Sequence, residues 1–130
     1  MHTAIPLSVA ALLAVGIIVI GSLYIASPEK MTVSFGLKLP SPDTDTRAWL
    51  RLKGIRDIVS GLIVLTLMLT TDPHTVGIAL LVESLTAFGD MSNVLGSGGS
   101  KQAAFSIHGV TFAVMVVTGL FLILHRYLAL

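Results

Sequence analysis

Hydrophobic positions gather into four long runs separated by short polar breaks. The first extends from Pro6 to about Ala26 and is nearly free of charge; the break at Ser27-Pro28 ends it, because proline cannot continue a helix. The second follows Pro40 and Pro42, where Asp43 or Asp45 offers an N-cap, and runs through Ile58 to Leu69 before Asp72-Pro73. The third covers roughly Thr75 to Val94 and the fourth Gln102 to Leu124, joined by the flexible GSGGS of Gly96 to Ser100. Runs of about 20 apolar residues are long enough to cross a bilayer core. The pattern predicts an all-α integral membrane protein, a four-helix antiparallel bundle forming one domain over residues 1–130, with spans near 6–26, 50–70, 75–95 and 103–124. Between the first two runs Val33, Phe35, Leu37 and Leu39 alternate, which predicts a short extended or re-entrant stretch at the bundle mouth, placed as a lid.

Composition strengthens the membrane assignment: 54% of residues are hydrophobic, 12% are charged, and mean hydropathy is +0.91. The lipid bilayer is the first expected partner. Net charge is +1 with the basic residues dispersed, so there is no basic patch with interleaved aromatics, and nucleic-acid binding is excluded. The absence of cysteine removes disulfides, thiolate metal sites and CxxC redox chemistry. The first run lacks a positive segment ahead of it and an A-x-A site before Ser27, so it reads as a retained helix rather than a cleaved signal. Lys30, Lys38, Arg47, Arg51, Lys53 and Lys101 fall in connections or helix starts on one side, against Arg126 opposite, which predicts a multi-pass chain with both termini non-cytoplasmic. Tyr24 and Tyr127 are expected near span ends, at headgroup level.

The apolar runs carry acids that need a purpose at membrane depth. Glu83, Ala87, Asp90 and Asn93 share one helical face of the third run, while Leu81 and Leu85 face away. Antiparallel topology brings Arg56 and Asp57, Asp90 and His108 to one cytoplasmic layer, with Glu83 about 10 Å deeper. Asp57, Ser60, Gly61 and Val64 form the inner face of the second run, and His108, Thr111, Met115 and Gly119 that of the fourth. Helix one offers Ala10, Ala14, Gly16 and Gly21, a packing wall. With Arg56 as the one cation, the acids must hold protons or a cation. Asp57, Glu83, Asp90 and His108 are the candidate catalytic acid/base groups; Arg56, Ser60, Asn93 and Thr111 are the candidate substrate-binding ones. An Arg56–Asp90 pair acting only as a clamp between helices is the plain alternative. The donor set would suit Mn or Fe better than structural Zn, but without a paired E-x-x-H no metal is assigned, and no cofactor is named.

These residues resemble a family. The LKGIRDIVSGL of Leu52 to Leu62, the FGD of Phe88 to Asp90 and the SIHG of Ser106 to Gly109, with Phe35-Gly36 ahead of helix two, are similar to a bacterial and fungal family of small four-pass membrane proteins of unknown function. More distantly they resemble DoxX-like four-helix proteins. The resemblance implies that Gly54, Arg56, Asp57, Asp90 and His108 are the group to watch. It implies no reaction, and Glu83 lies outside its pattern.

Two functional classes follow. In one, the cluster binds or converts a lipophilic small molecule by acid/base chemistry, as isomerisation, cyclisation or cofactor-free oxidation would require. In the other, the acids serve a proton- or cation-coupled small transporter, with a homo-oligomer forming the pathway. Small four-helix drug/proton exchangers carry their essential Glu in helix one, which here has no charge. A non-catalytic subunit or scaffold is the third reading.

Overall fold

The structure, a computed structural model, describes residues 3–38 and 43–128, apart from the side chains of residues 126 and 128. Leu39, Pro40 and Pro42 lie outside the described residues. The order is α1 (Ala4–Ala26), α2 (Pro28–Phe35), α3 (Thr44–Thr70), α4 (Pro73–Gly96), α5 (Lys101–Ala103), a π-helical stretch (Ala104–Gly109) and α6 (Val110–Leu128). No strand occurs among the described residues.

Local chemistry explains most of the boundaries. α1 stops at Ala26 because Pro28 starts a new helix from its first position. α3 starts at Asp43, whose carboxylate accepts from the Thr46 amide at 2.8 Å and from the Thr46 hydroxyl at 2.8 Å. α4 starts at Asp72 in the same way, accepting from the His74 and Thr75 amides at 2.9 and 3.3 Å. Asp43 therefore stands below the usual carboxylate range, chiefly through the Thr46 amide, and Asp72 does so chiefly through the Thr75 hydroxyl. Asp45, the other cap candidate, sits in the first turn of α3.

Of the segment expected to be extended or re-entrant, Val33 and Phe35 lie instead in the helix α2, and Leu37 follows it. Its signals are Pro28 at the first position, Glu29 in the first turn, and Gly36 at the C-cap with φ 98°, a left-handed conformation glycine adopts without penalty. Helical winding puts Met31 and Phe35 on one side, where both face the bundle interior.

α1 packs along α3, and α4 along α6, through very small residues. A Cβ on Gly21 would lie 2.4 Å from the Gly54 carbonyl oxygen, and one on Gly54 would lie 2.5 Å from that of Gly21. Gly61 approaches the Ala14 carbonyl in the same way, which fixes opposite directions for α1 and α3. Gly77 and Gly119 make the matching contact between α4 and α6. Such small-residue seams let backbones approach closely enough for dispersion to hold them without large side chains. Ala10, Ala14, Val64, Val76, Leu80 and Leu122 form a buried cluster drawn from both pairs.

Among the described residues three stretches are long and apolar enough to cross a membrane: Ala4–Ala26, Pro73–Gly96 and Lys101–His125. The chain is thus all-helical with multi-pass character. α3 is as long, but its first half carries Asp45, Arg47, Arg51, Lys53, Arg56 and Asp57, and it does not meet that standard.

Candidate functional site

Between the two helix pairs lies a cavity of about 320 Å³, within the size range of small-molecule sites. Its body is apolar, walled by Leu13 and Ile17 of α1, Val64 of α3, Leu80 of α4 and Met115 of α6. Its other end collects Tyr24, Lys53, Asp57, Asp90 and His108 beneath Met31, Ser34 and Phe35 of α2. Ser60, Glu83 and Thr111 stand between.

The cation of this layer is Lys53. Its Nζ lies 2.7 Å from Asp57 Oδ2, one turn along α3, and Asp57 is buried. The ammonium also stands over the Tyr24 and Phe35 rings, 4.9 and 5.3 Å from their centroids, where the π faces attract it. Arg56, placed in this layer from its adjacency to Asp57, points outward, is exposed and does not line the cavity. The reason is helical geometry: neighbours diverge by about 100°, whereas residues four apart share a face. The expected Arg56–Asp90 clamp is therefore not formed.

His108 owes its place to the π-helical stretch, an irregularity that re-aims side chains and recurs at functional sites. Its Nε2 is 3.0 Å from the Phe35 carbonyl oxygen. A carbonyl only accepts, so Nε2 carries the hydrogen and a neutral ring offers Nδ1 as a bare lone pair. Nδ1 faces Asp90 Oδ2 at 4.0 Å, beyond hydrogen-bond length. Two acceptors across such a gap call for a donor: a proton on one of them, or a donor group of a bound molecule. The Phe35 ring covers His108, with centroids 4.5 Å apart.

Glu83 accepts from the Ser60 hydroxyl at 3.0 Å, and among the described residues no cation pairs with it. Asn93 is exposed and stays outside the cavity, one turn too far along α4. Asp57, Ser60, Glu83, Asp90, His108 and Thr111 all reach it. Tyr24, expected at a headgroup interface, is instead buried to 2% exposure and lines the site. Its signal was present: it continues the buried stripe of Ala10, Ala14 and Gly21 at helical spacing.

α2 is fastened over the mouth from both sides. At its start Glu29 pairs with Arg47 of α3; at its end the Gly36 carbonyl accepts from the Ser100 amide at 2.8 Å. A Cβ on Gly36 would stand 2.7 Å from that of Ala103, so the lid's end rests directly on the start of the last helix. Among the described residues no group of three or more His, Cys, Asp or Glu side chains converges as a metal site.

A family profile described as Domain of unknown function (DUF4267) matches residues 14–122. The chain belongs to the DUF4267 family. The match takes in the cavity residues from Ala14 to Met115, so the lid, the charged end, α3 and α4 fall inside the DUF4267 region, which leaves out the start of α1, with Leu12 and Leu13, and the end of α6. No curated protein and no solved structure matches the chain.

Proposed function

We propose that this DUF4267 protein is an integral membrane four-helix antiparallel bundle that binds or converts a lipophilic small molecule in the cavity between its helix pairs by acid/base chemistry. α3 supplies the fourth span, its Lys53 and Asp57 neutralising each other inward while Arg56 extends toward the headgroups. Both termini face away from the cytoplasm, and the charged end with its lid lies on the cytoplasmic side. The observation that carries the reading is the cavity itself, which joins an apolar body to an end with five ionisable groups. Asp90 and His108 are the acid/base pair, since the gap between them accepts a reacting proton. Asp57 holds Lys53 beside them, and Ser60 and Thr111 line the path.

Asp90→Asn and His108→Ala test this. Both variants should keep their helical content and oligomeric state in mild detergent, while native mass spectrometry shows loss of a lipophilic molecule that co-purifies with the unaltered chain. Loss of folded protein in both variants would make the cluster a structural clamp and sink the reading.

Glu83 supports a second reading, proton- or cation-coupled transport, because it is a carboxylate within the cavity that accepts from the Ser60 hydroxyl and, among the described residues, pairs with no cation. In proteoliposomes under a pH gradient, Glu83→Gln should abolish proton flux if that reading is right; no flux in the unaltered protein would dismiss it.

A further inference from the structure

We propose, resting on the cavity reading above, that the ligand is a short-chain lipophilic amine, its protonated head bridging Asp90 and His108 and its chain admitted sideways between α1 and α6 past Gly16. The charge of the lining comes first. The cavity wall presents three carboxylates, Asp57, Glu83 and Asp90, against one ammonium, Lys53, which Asp57 already engages at 2.7 Å. A neutral His108 leaves the chamber short of positive charge, and an anion away from water requires a proton or a cation.

The geometry says where the cation sits. His108 is only 7% exposed, and its Nδ1 has no hydrogen-bond partner among the described residues and faces Asp90 Oδ2 at 4.0 Å. One nitrogen placed about 2.8 Å from each can donate to both, which is ordinary hydrogen-bond length. An ammonium has three donors and no lone pair, so it satisfies two facing acceptors and adds the missing charge. A hydroxyl donates only once and leaves one acceptor unmet.

The remaining space takes the chain: the cavity of about 320 Å³ lies at the small end of small-molecule sites. A head at Asp90 and His108 leaves the aliphatic wall of Leu13, Ile17 and Leu80 for the rest.

The route is lateral. Leu12, Ile20 and Ile107 line the cavity and are also 73%, 40% and 44% exposed on the outer surface, so both flanks of the seam between α1 and the last helix face inward and outward at once. Gly16 sits between Leu12 and Ile20 on the same face of α1, and a Cβ there meets nothing within 4 Å. That open space contrasts with Gly21, which the helix seam uses.

The test is calorimetric titration of the full chain in lipid nanodiscs with n-hexylamine and n-octylamine, against n-hexanol and n-octanol. The expected result is at least tenfold tighter binding of each amine than of its matched alcohol, a preference that Asp90→Asn removes. Gly16→Trp should weaken octylamine at least tenfold, or slow its binding, with helical content unchanged. Gly16→Leu serves the same purpose should the larger ring disturb folding. Equal binding of amines and alcohols overturns the amine while the cavity reading stands. Binding of neither series overturns the cavity reading as well. Unchanged octylamine binding in both Gly16 variants overturns the lateral route.

Discussion

Lys53 and Arg56 are three residues apart and meet opposite fates. Lys53 points inward to a buried partner, while Arg56 is exposed. Removing one member of a buried pair strands the other, at a cost of about 3 kcal/mol or more, whereas an exposed side chain away from special contacts changes stability by about 0.5 kcal/mol or less. Lys53→Met should therefore lower unfolding stability in detergent by about 3 kcal/mol, with much of the loss recovered in Lys53→Met/Asp57→Leu, and Arg56→Gln should stay within about 0.5 kcal/mol. A larger loss for Arg56→Gln would show that the cation has been misassigned. The candidate acids were legible in the sequence because Asp57, Glu83, Asp90 and His108 sit on recognisable inner faces. The cation was not, because the conspicuous Arg56-Asp57 dipeptide drew attention from the i,i+4 pair of Lys53 and Asp57. Tyr24 was missed for a related reason: an aromatic ring near the end of an apolar run resembles an interface anchor unless its phase is followed back to Ala10.

Helices locate themselves here by two devices, glycine seams and carboxylate caps. At Gly54 and Gly61 an added methyl would stand 2.5 Å from a backbone oxygen, so the helices must part; at Gly16 and Gly89 it meets nothing. Gly54→Ala and Gly61→Ala should each destabilise by about 1–3 kcal/mol through overpacking, whereas Gly89→Ala should raise stability by up to about 1 kcal/mol through helix propensity. Thermal melts of the three single variants check the contrast. The caps add an acid limit. Asp43 and Asp72 are held below their ordinary value of 3.8, so the stability they confer is complete above that value and is lost as pH falls through the lowered ones. Melting temperature should fall on acidification below about pH 4, and Asp72→Ala should shrink that fall; an unchanged acid limb would show that the cap is idle. Helix limits were the most legible part of the fold, since Pro28, Asp43 and Asp72-Pro73 act within one turn. α2 was obscured because Val33 and Phe35 alternate by coincidence with Leu37, while the Pro28 start and Gly36 stop carried the true signal. Nothing in the composition of Ala104–Gly109 announces a π-helical turn, in which Ala104 and His108 are the buried residues.

The molecule as a whole is two tightly seamed helix pairs with a chamber between them, and its ceiling is built from distant parts of the chain. Phe35 meets His108 across 73 positions, and Gly36 meets Ser100. Contacts so far apart in sequence form late, after the loop between them has closed. During synthesis α1 and α3 can pair as soon as Thr70 has emerged, and Glu29 can already meet Arg47, but the lid's far end at Phe35 and Gly36 has no partner in the last helix until that helix arrives. Throughout that interval Lys53 and Asp57 stand under a roof without a far wall. The wall beside that ion pair is therefore the last part of the chamber to close.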